Sequence, residues 1–448
     1  MLDIEKKENF SRKGKATLLD RTSEKPIHEF NLSSIVPSVR NATELDCVLS
    51  NRVNQSFVSG IAIPIVFSDD ILNRRANYAK QLNFYGTSAD TNFTQIKSKL
   101  ITVDNMTEFV YYRSGWQYFK NFIGNEAELS NFITIIGESF KDRPKGCDIG
   151  LQEKAWDFLT ENESARLKYV QKSFLRQSML NSVYLTCPSN MLHRDLENSL
   201  EVSAKLNRFG QIIAKTYDKP YQISLSINET FLRKSKLISQ LLKYLMKENM
   251  FGTDFDSIAV KLVNDNIHGS SIERRNFSRI LDAIVELRGH DKTAMLINAD
   301  PALAMVSIER GIDVAIVPLN CQTRIKIGED NRAKGFMAKT GWFNINNLEY
   351  LPFNDYLELF EANLKTSFHN CEPCQITEGK DLNRMSSTVF NSIMKEHNNA
   401  CFAEINKEVN HSFGNDKGGV FVGVRDWIDR SNSKNYLDLL RNSINNPL

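Results

Sequence analysis

YQISLSI (221–227), SIAVKLV (257–263), TAMLIN (293–298) and IDVAIVPL (312–319) are four short apolar runs, rich in β-branched residues, spaced at near-regular intervals. Between them lie stretches with helical spacing: FLRKSKLISQLLKYLMKE (231–248), SIERRNFSRILDAIVEL (271–287) and PALAMVSIERG (301–311). Buried strands alternating with helices of this length are βα units, and βα units build a parallel sheet. Upstream, SVYLTC (182–187) precedes the helical NMLHRDLENSLEVSAKLNRF (190–209). Two earlier strands read as SGIAIPIVF (59–67) and KLITVDN (99–105), with helical signal in DDILNRRANYAKQL (69–82) between them. Residues 106–180 are mostly helical by pattern, broken by a loop around 141–150. Six or seven strands between residues 59 and 320 favour closure into a (β/α)8, TIM-like barrel over an open doubly wound sheet. No Gly-rich dinucleotide or phosphate loop follows any strand, which counts against the open nucleotide-binding sheet.

Composition bounds the rest. In 448 residues, 41% hydrophobic and 25% charged are ordinary globular values; they exclude a disordered chain, a collagen-like chain and a small disulfide scaffold. Lys and Arg number 56 against 54 Asp and Glu. That balance neither demands nor excludes nucleic acid, because a local basic groove suffices. Arg74-Arg75, the segment 141–145 and Arg274-Arg275 are candidate phosphate contacts, although such runs are equally solvated faces. No apolar run approaches the ~18 residues of a membrane span, and the start, MLDIEKKENFSRKGK, lacks the apolar core of a secretory signal. Seven scattered cysteines, an odd number, point to a reducing compartment. The expectation is a soluble, cytoplasmic chain with a polar N-terminal extension (1–58), a barrel (59–405) and a C-terminal extension (406–448).

One cluster carries metal chemistry. FHNCEPC (368–374) and MKEHNN (394–399) together offer His369, Cys371, Cys374 and His397. A Cys-x-x-Cys turn presents two sulfurs to one ion, and the 22 residues between Cys374 and His397 suffice for a loop and a returning helix. Two thiolates and two imidazoles suit tetrahedral zinc, and four protein ligands make a closed, structural site. A redox dithiol is the competing reading, although such a pair usually opens a helix after a strand. The remaining His and Cys form no comparable group and read as surface imidazoles and core thiols.

Four stretches resemble the tRNA-guanine transglycosylase superfamily, whose members exchange guanine for a 7-deazaguanine base. They are SIERGID (307–313), GWFNINN (341–347), HNCEPC (369–374) and MKEHNNACF (394–402), and they occur in the family's order over residues 290–405. HNCEPC matches the zinc motif C-x-C-x-x-C with His369 in place of the first Cys. The resemblance implies a (β/α)8 barrel with a zinc-binding insert near its C-terminal end, at about 341–405. It also implies a carboxylate nucleophile for C1′ of a guanosine and a second aspartate that handles protons.

Carried over by position, Asp104 in LITVDNMTEF (100–109) matches the family's aspartate, with Asn105, Met106 and Thr107 replacing Ser-Gly-Gly. Asp104 is also what a strand-ending turn would use. The nucleophile's frame reads Gly311-Ile312-Asp313-Val314-Ala315-Ile316-Val317, which puts Ile316 where the attacking Asp stands. An isoleucine has no lone pair to attack with. Asp300, directly after a strand, is the substitute carboxylate, and with Pro301 behind it also a normal helix start. At the base-recognition positions stand Cys187 for an Asp, Asn228 for a Gln, and Lys261 with Leu262 for a Gly-Gly pair. The changed pocket, the shortened Cys-to-His interval and the absence of an appended RNA-binding domain favour DNA over tRNA. The functional expectations are therefore three: a DNA base-exchange enzyme, a barrel without chemistry serving as a nucleic-acid-binding subunit of a modification complex, and a divergent tRNA enzyme.

Overall fold

The computed structural model describes residues 34–48, 60–69, 100–143, 146–192, 196–228, 235–245, 251, 254–263, 274–288, 292–319, 341–346, 348–351, 353–361, 371–378 and 380–411. Nine strands form one parallel sheet: β1 (Ser34–Ser38), β2 (Gly60–Pro64), β3 (Leu100–Asp104), β4 (Leu185–Thr186), β5 (Met191–Leu192), β6 (Tyr221–Asn228), β7 (Ser257–Val263), β8 (Thr293–Ile297) and β9 (Val314–Pro318). Their order is β3-β2-β1-β9-β8-β7-β6-β4, with β5 pairing β6 beyond β4. Neighbours in sequence are neighbours in space, except that β1 also pairs β9. The Val183 N–H donates to the Ile101 carbonyl at 2.8 Å, which brings the β4 edge onto β3. The result is a nearly closed, eight-position α/β barrel of the TIM type, with β4 and β5 sharing one position.

Helices follow the strands: α1 (Ala42–Val48), α2 (Arg113–Ile123), α3 (Ser130–Glu138), α4 (Ile149–Glu161), α5 (Glu163–Met179), α6 (Leu196–Ala214), α7 (Ser235–Leu245), α8 (Arg274–Arg288) and α9 (Pro301–Glu309). A two-stranded antiparallel unit, β10 (Trp342–Asn344) with β11 (Glu349–Leu351), comes next. Then come α10 (Phe353–Glu361), α11 (Glu372–Thr377) and the 25-residue α12 (Ser387–His411). The strands are buried on both faces, as parallel barrel strands must be. Along β6, Tyr221, Ile223, Leu225 and Ile227 join the large outer core under the helices. The alternate residue Gln222 bonds inside the barrel to Ser257 and Thr186. Val36, Ala62, Ala259, Met295, Val314 and Ile316 make the inner apolar cluster.

Two boundaries differ from the composition-based reading. The first barrel strand, SIVPS at 34–38, lies inside the stretch assigned to an N-terminal extension. It is five residues long, embedded in charge, and carries Pro37, which cannot donate to a ladder. It pairs β9 from Ser34↔Val314 to Ser38↔Pro318. At the other end, α12 runs through residue 405 without a break. Residues 412–448, including the turn and strand expected at 414–424, lie outside the described residues, as do Arg74 and Arg75.

The polar face of α12 fastens the barrel's first strand. Asn406 accepts the Ile35 N–H and donates to the Ile35 carbonyl, both at 2.8 Å. Asn399 donates to the Val48 carbonyl, and Lys395 pairs with buried Glu44 at 3.0 Å. Replacing Asn406 by Ala strands two buried backbone groups, so Asn406→Ala is expected to cost about 1–3 kcal/mol. The urea midpoint should drop with an unchanged slope; an unshifted midpoint would remove the clasp from the account.

Candidate functional site

Two constellations emerge, one at the barrel mouth and one in the C-terminal insert. In the insert, Cys371 occupies the N-cap position of α11 and Cys374 its first turn, so a single short helix aims both sulfurs one way. The α12 helix returns His397 to them. Its Nδ1 lies 3.3 Å from the Cys371 sulfur and 3.2 Å from that of Cys374. These three donor atoms all lie within 4.8 Å of one another and are buried, so the group can hold a metal ion. The other ring nitrogen is spoken for: Nε2–H donates to the Phe343 carbonyl at 2.8 Å. That bond fixes the tautomer leaving Nδ1 free to coordinate, the usual arrangement behind a metal-binding imidazole. Trp342 stacks on the His397 ring at 5.2 Å, and Asn398 accepts the Phe343 N–H. Segments 341–346 and 394–402, far apart in sequence, therefore meet at this imidazole.

The donor chemistry fits a thiophilic cation. The hydrogen bond with Cys371, together with burial, holds the Cys374 thiol well above its ordinary range. A cation near the sulfurs is what draws such protons off at neutral pH. His369, the fourth expected donor, lies outside the described residues. Cys401, one helical turn beyond His397, puts its sulfur 3.5 Å from Nε2.

At the barrel mouth, Asp104 ends β3 and Lys261 is the fifth of the seven residues of β7, both side chains on the inner face. Lys261 Nζ is 2.5 Å from Asp104 Oδ2 and 2.5 Å from Glu108 Oε1. Glu108 belongs to a short 3-10 segment, Thr107–Tyr111, entered through Met106 in the left-handed region at φ 51°. The second Asp104 oxygen accepts the Met106 N–H at 3.1 Å. Glu108 is wholly buried, and burial pushes its carboxyl above the usual range, although Lys261 beside it pulls the other way.

Asp104 lines a small recess, with about 10 Å³ of water-sized space, together with Ser38, Arg40, Asn298 and Ile316. Asp104, Ser38, Arg40 and Asn298 lie at or just past the C-terminal ends of β3, β1 and β8, where loops converge in this fold, and Ile316 is in the middle of β9. Asn298 adopts φ 66°, which asparagine tolerates better than most residues. Its buried Nδ2 has no hydrogen-bond partner.

The structure thus joins Asp104 and Lys261, while Asp300, Cys187 and Asn228 are not among the residues that line the recess. Asp300 caps α9, its Oδ1 accepting the Leu303 N–H at 2.8 Å. Cys187 is packed in the outer core, where burial pushes its thiol up. Asn228 is buried at the end of β6, level with Val263 of β7. Asp313 is held by Arg288 through both oxygens at 2.8 Å and accepts the Ala294 N–H. Ile316 is inside the barrel and 1% exposed.

Glu108, Arg40 and Asn298 escaped sequence reasoning. The available signal was Lys261 itself: a lysine inside the apolar run SIAVKLV has to find carboxylates, since an unpaired buried ammonium is too costly. No protein-family model matches the chain, and no curated protein matches it either. Among the described residues no helix is long and apolar enough to cross a membrane.

Proposed function

We propose that this barrel exchanges guanine for a 7-deazaguanine base in nucleic acid, with DNA preferred to tRNA, in the cytoplasm. The observation that carries this reading is Asp104. It is a buried carboxylate at the C-terminal end of the third barrel strand, it faces the recess, and it stands where the transglycosylase resemblance expects the proton-handling aspartate. The target guanine would be extruded from a duplex to reach it, because the stack shields C1′ and the base edge. Asp104 would move protons on and off the departing and entering bases. Asp300, two residues past the recess-lining Asn298, is the carboxylate we assign to covalent attack, which would cost its cap, about 1 kcal/mol. Arg40 and Asn298 offer donors to a purine edge or to phosphate.

Cys371, Cys374 and His397, completed by His369, would hold zinc. A four-ligand site supplies no catalytic position; it braces the insert against the barrel.

A second reading has its own observation. Ile316, at the family's nucleophile position, is an apolar wall of the recess. A barrel of this kind would bind nucleic acid as a non-catalytic subunit of a base-modification complex.

Labelled guanine or 7-cyano-7-deazaguanine, incubated with DNA or tRNA and purified protein, separates the two. Label should enter DNA, and Asp104→Asn should cut the rate by about 10²–10⁴-fold, the usual worth of a positioned acid–base group. No incorporation into either nucleic acid rules out the enzyme and leaves the subunit. A mass-spectrometric search for an abasic-strand adduct on Asp300 tests the covalent step.

A further inference from the structure

Deep in the barrel mouth, two carboxylates share one cation. Lys261 Nζ contacts Asp104 and Glu108 at the same 2.5 Å, and its side chain is only 3% exposed. Its remaining near neighbour is the Met106 sulfur at 3.2 Å. With both acids ionised, the trio would bury a net negative charge, and two carboxylates on one site do not both stay ionised when a proton is available. We propose that Glu108 is the acid that keeps the proton at neutral pH, and that Glu108 and Lys261 are positioning residues that store it for Asp104.

The surroundings decide which acid is neutral. Asp104 has two donors, the Lys261 ammonium and the Met106 N–H, and it borders the recess. Glu108 is fully buried, and among the described residues neither of its oxygens has a hydrogen-bond partner, Oε1 meeting Lys261 as an ion pair alone. Lys261 and a backbone contact within Glu108 itself favour ionisation, but burial outweighs them and pushes the carboxyl up. The other charged or titratable groups nearby are Arg40 and the phenols of Tyr112 and Tyr118. Arg40 borders the recess with Asp104, so it too places the negative charge on that side.

The stored proton has a balanced route. Lys261 Nζ passes one proton to Asp104 Oδ2 while the Glu108 hydroxyl restores it. Asp104 gains a proton, Lys261 stays an ammonium, and Glu108 becomes a carboxylate. Asp104 then protonates the departing base, and the proton released by the entering base returns along the same path. The relay to a base rests on the exchange reading above; the resting protonation of Glu108 does not.

Infrared spectroscopy of the whole protein at pH 7 tests the resting state without any activity. A protonated-carboxyl stretch should appear, shift on ¹³C-glutamate labelling, and ignore ¹³C-aspartate. It should vanish in Glu108→Gln, and also in Asp104→Asn, where one cation balances one remaining carboxylate. The label on wild-type protein decides the matter even if a variant folds poorly. No band, or a band that follows the aspartate label, overturns the proposal. For the relay, Glu108→Gln should slow base exchange on the order of 100-fold and change the shape of its pH profile; an unaltered profile removes the relay. If wild-type protein bears the band and exchanges no base, the functional reading falls while the Glu108 assignment stands.

Discussion

The wild-type chain is expected to purify with one zinc ion, and Cys371→Ser with almost none and with a melting point well below the wild type's. The mutation removes one of three buried donors whose atoms lie within 4.8 Å of one another. Metal that binds only the folded chain stabilises it by mass action, about 2.7 kcal/mol at a hundredfold excess over Kd. The loss should travel beyond the insert. His397 is followed by Asn398 and Asn399, which bond the Leu319 and Val48 carbonyls, and farther along α12 Asn406 grips Ile35. Freeing the helix at His397 therefore loosens the seam where β1 meets β9. Chelator treatment of the wild type should reproduce the variant. Because the Cys374 thiol is held above its ordinary range, metal loading displaces protons, so affinity should fall as pH falls. Zinc content by atomic emission and melting followed by circular dichroism are sufficient measurements. Full zinc in Cys371→Ser would remove the metal site from this account.

The second large effect is expected of Lys261→Met, at about 3–5 kcal/mol, because it leaves the buried Asp104 charge, and any charge Glu108 takes on as pH rises, without a cation. Its pH dependence distinguishes this cause from lost packing. Burial already raises the folded-state pKa of Glu108 above its ordinary value, and removing Lys261 strips away the charge that opposed the rise. A carboxyl with a raised folded pKa binds more protons folded than unfolded, so stability falls as pH climbs through that raised value. It is recovered below the ordinary carboxyl range. Urea melts should therefore show a larger gap between wild type and Lys261→Met at pH 8 than at pH 5. The triple variant Asp104→Asn, Glu108→Gln, Lys261→Met should regain much of the loss, since a neutral set of similar shape pays no charge desolvation. A small gap that ignores pH would show that the trio is not an ionic unit.

Much of the architecture was readable because it is periodic. SIAVKLV coincides with β7 to the residue, TAMLIN and IDVAIVPL contain their strands, and YQISLSI falls one residue short of the end of β6. Apolar runs bounded by turns are local signals that survive tertiary packing. SIVPS at 34–38 was not readable, since a five-residue strand with an internal proline carries too little pattern to stand out from charged neighbours. Its strand identity depends on pairing with β9, 280 residues away in register from Ser34 to Val314.

The candidate sites divide along the same line. Cys-x-x-Cys followed by a helical His is a short-range signature, and the sequence alone determined that these donors could meet on one ion. It also determined the alternation of strands and helices, and that Ile316 cannot act as a nucleophile. Only the tertiary structure decided that Lys261 meets Asp104 across 157 residues and Glu108 beside it, that Asp300 caps a helix, and that Cys187 belongs to the core. The reason is physical. Strand and helix periods are written in consecutive residues, but which inward-facing charges become partners depends on the closure and stagger of the whole barrel.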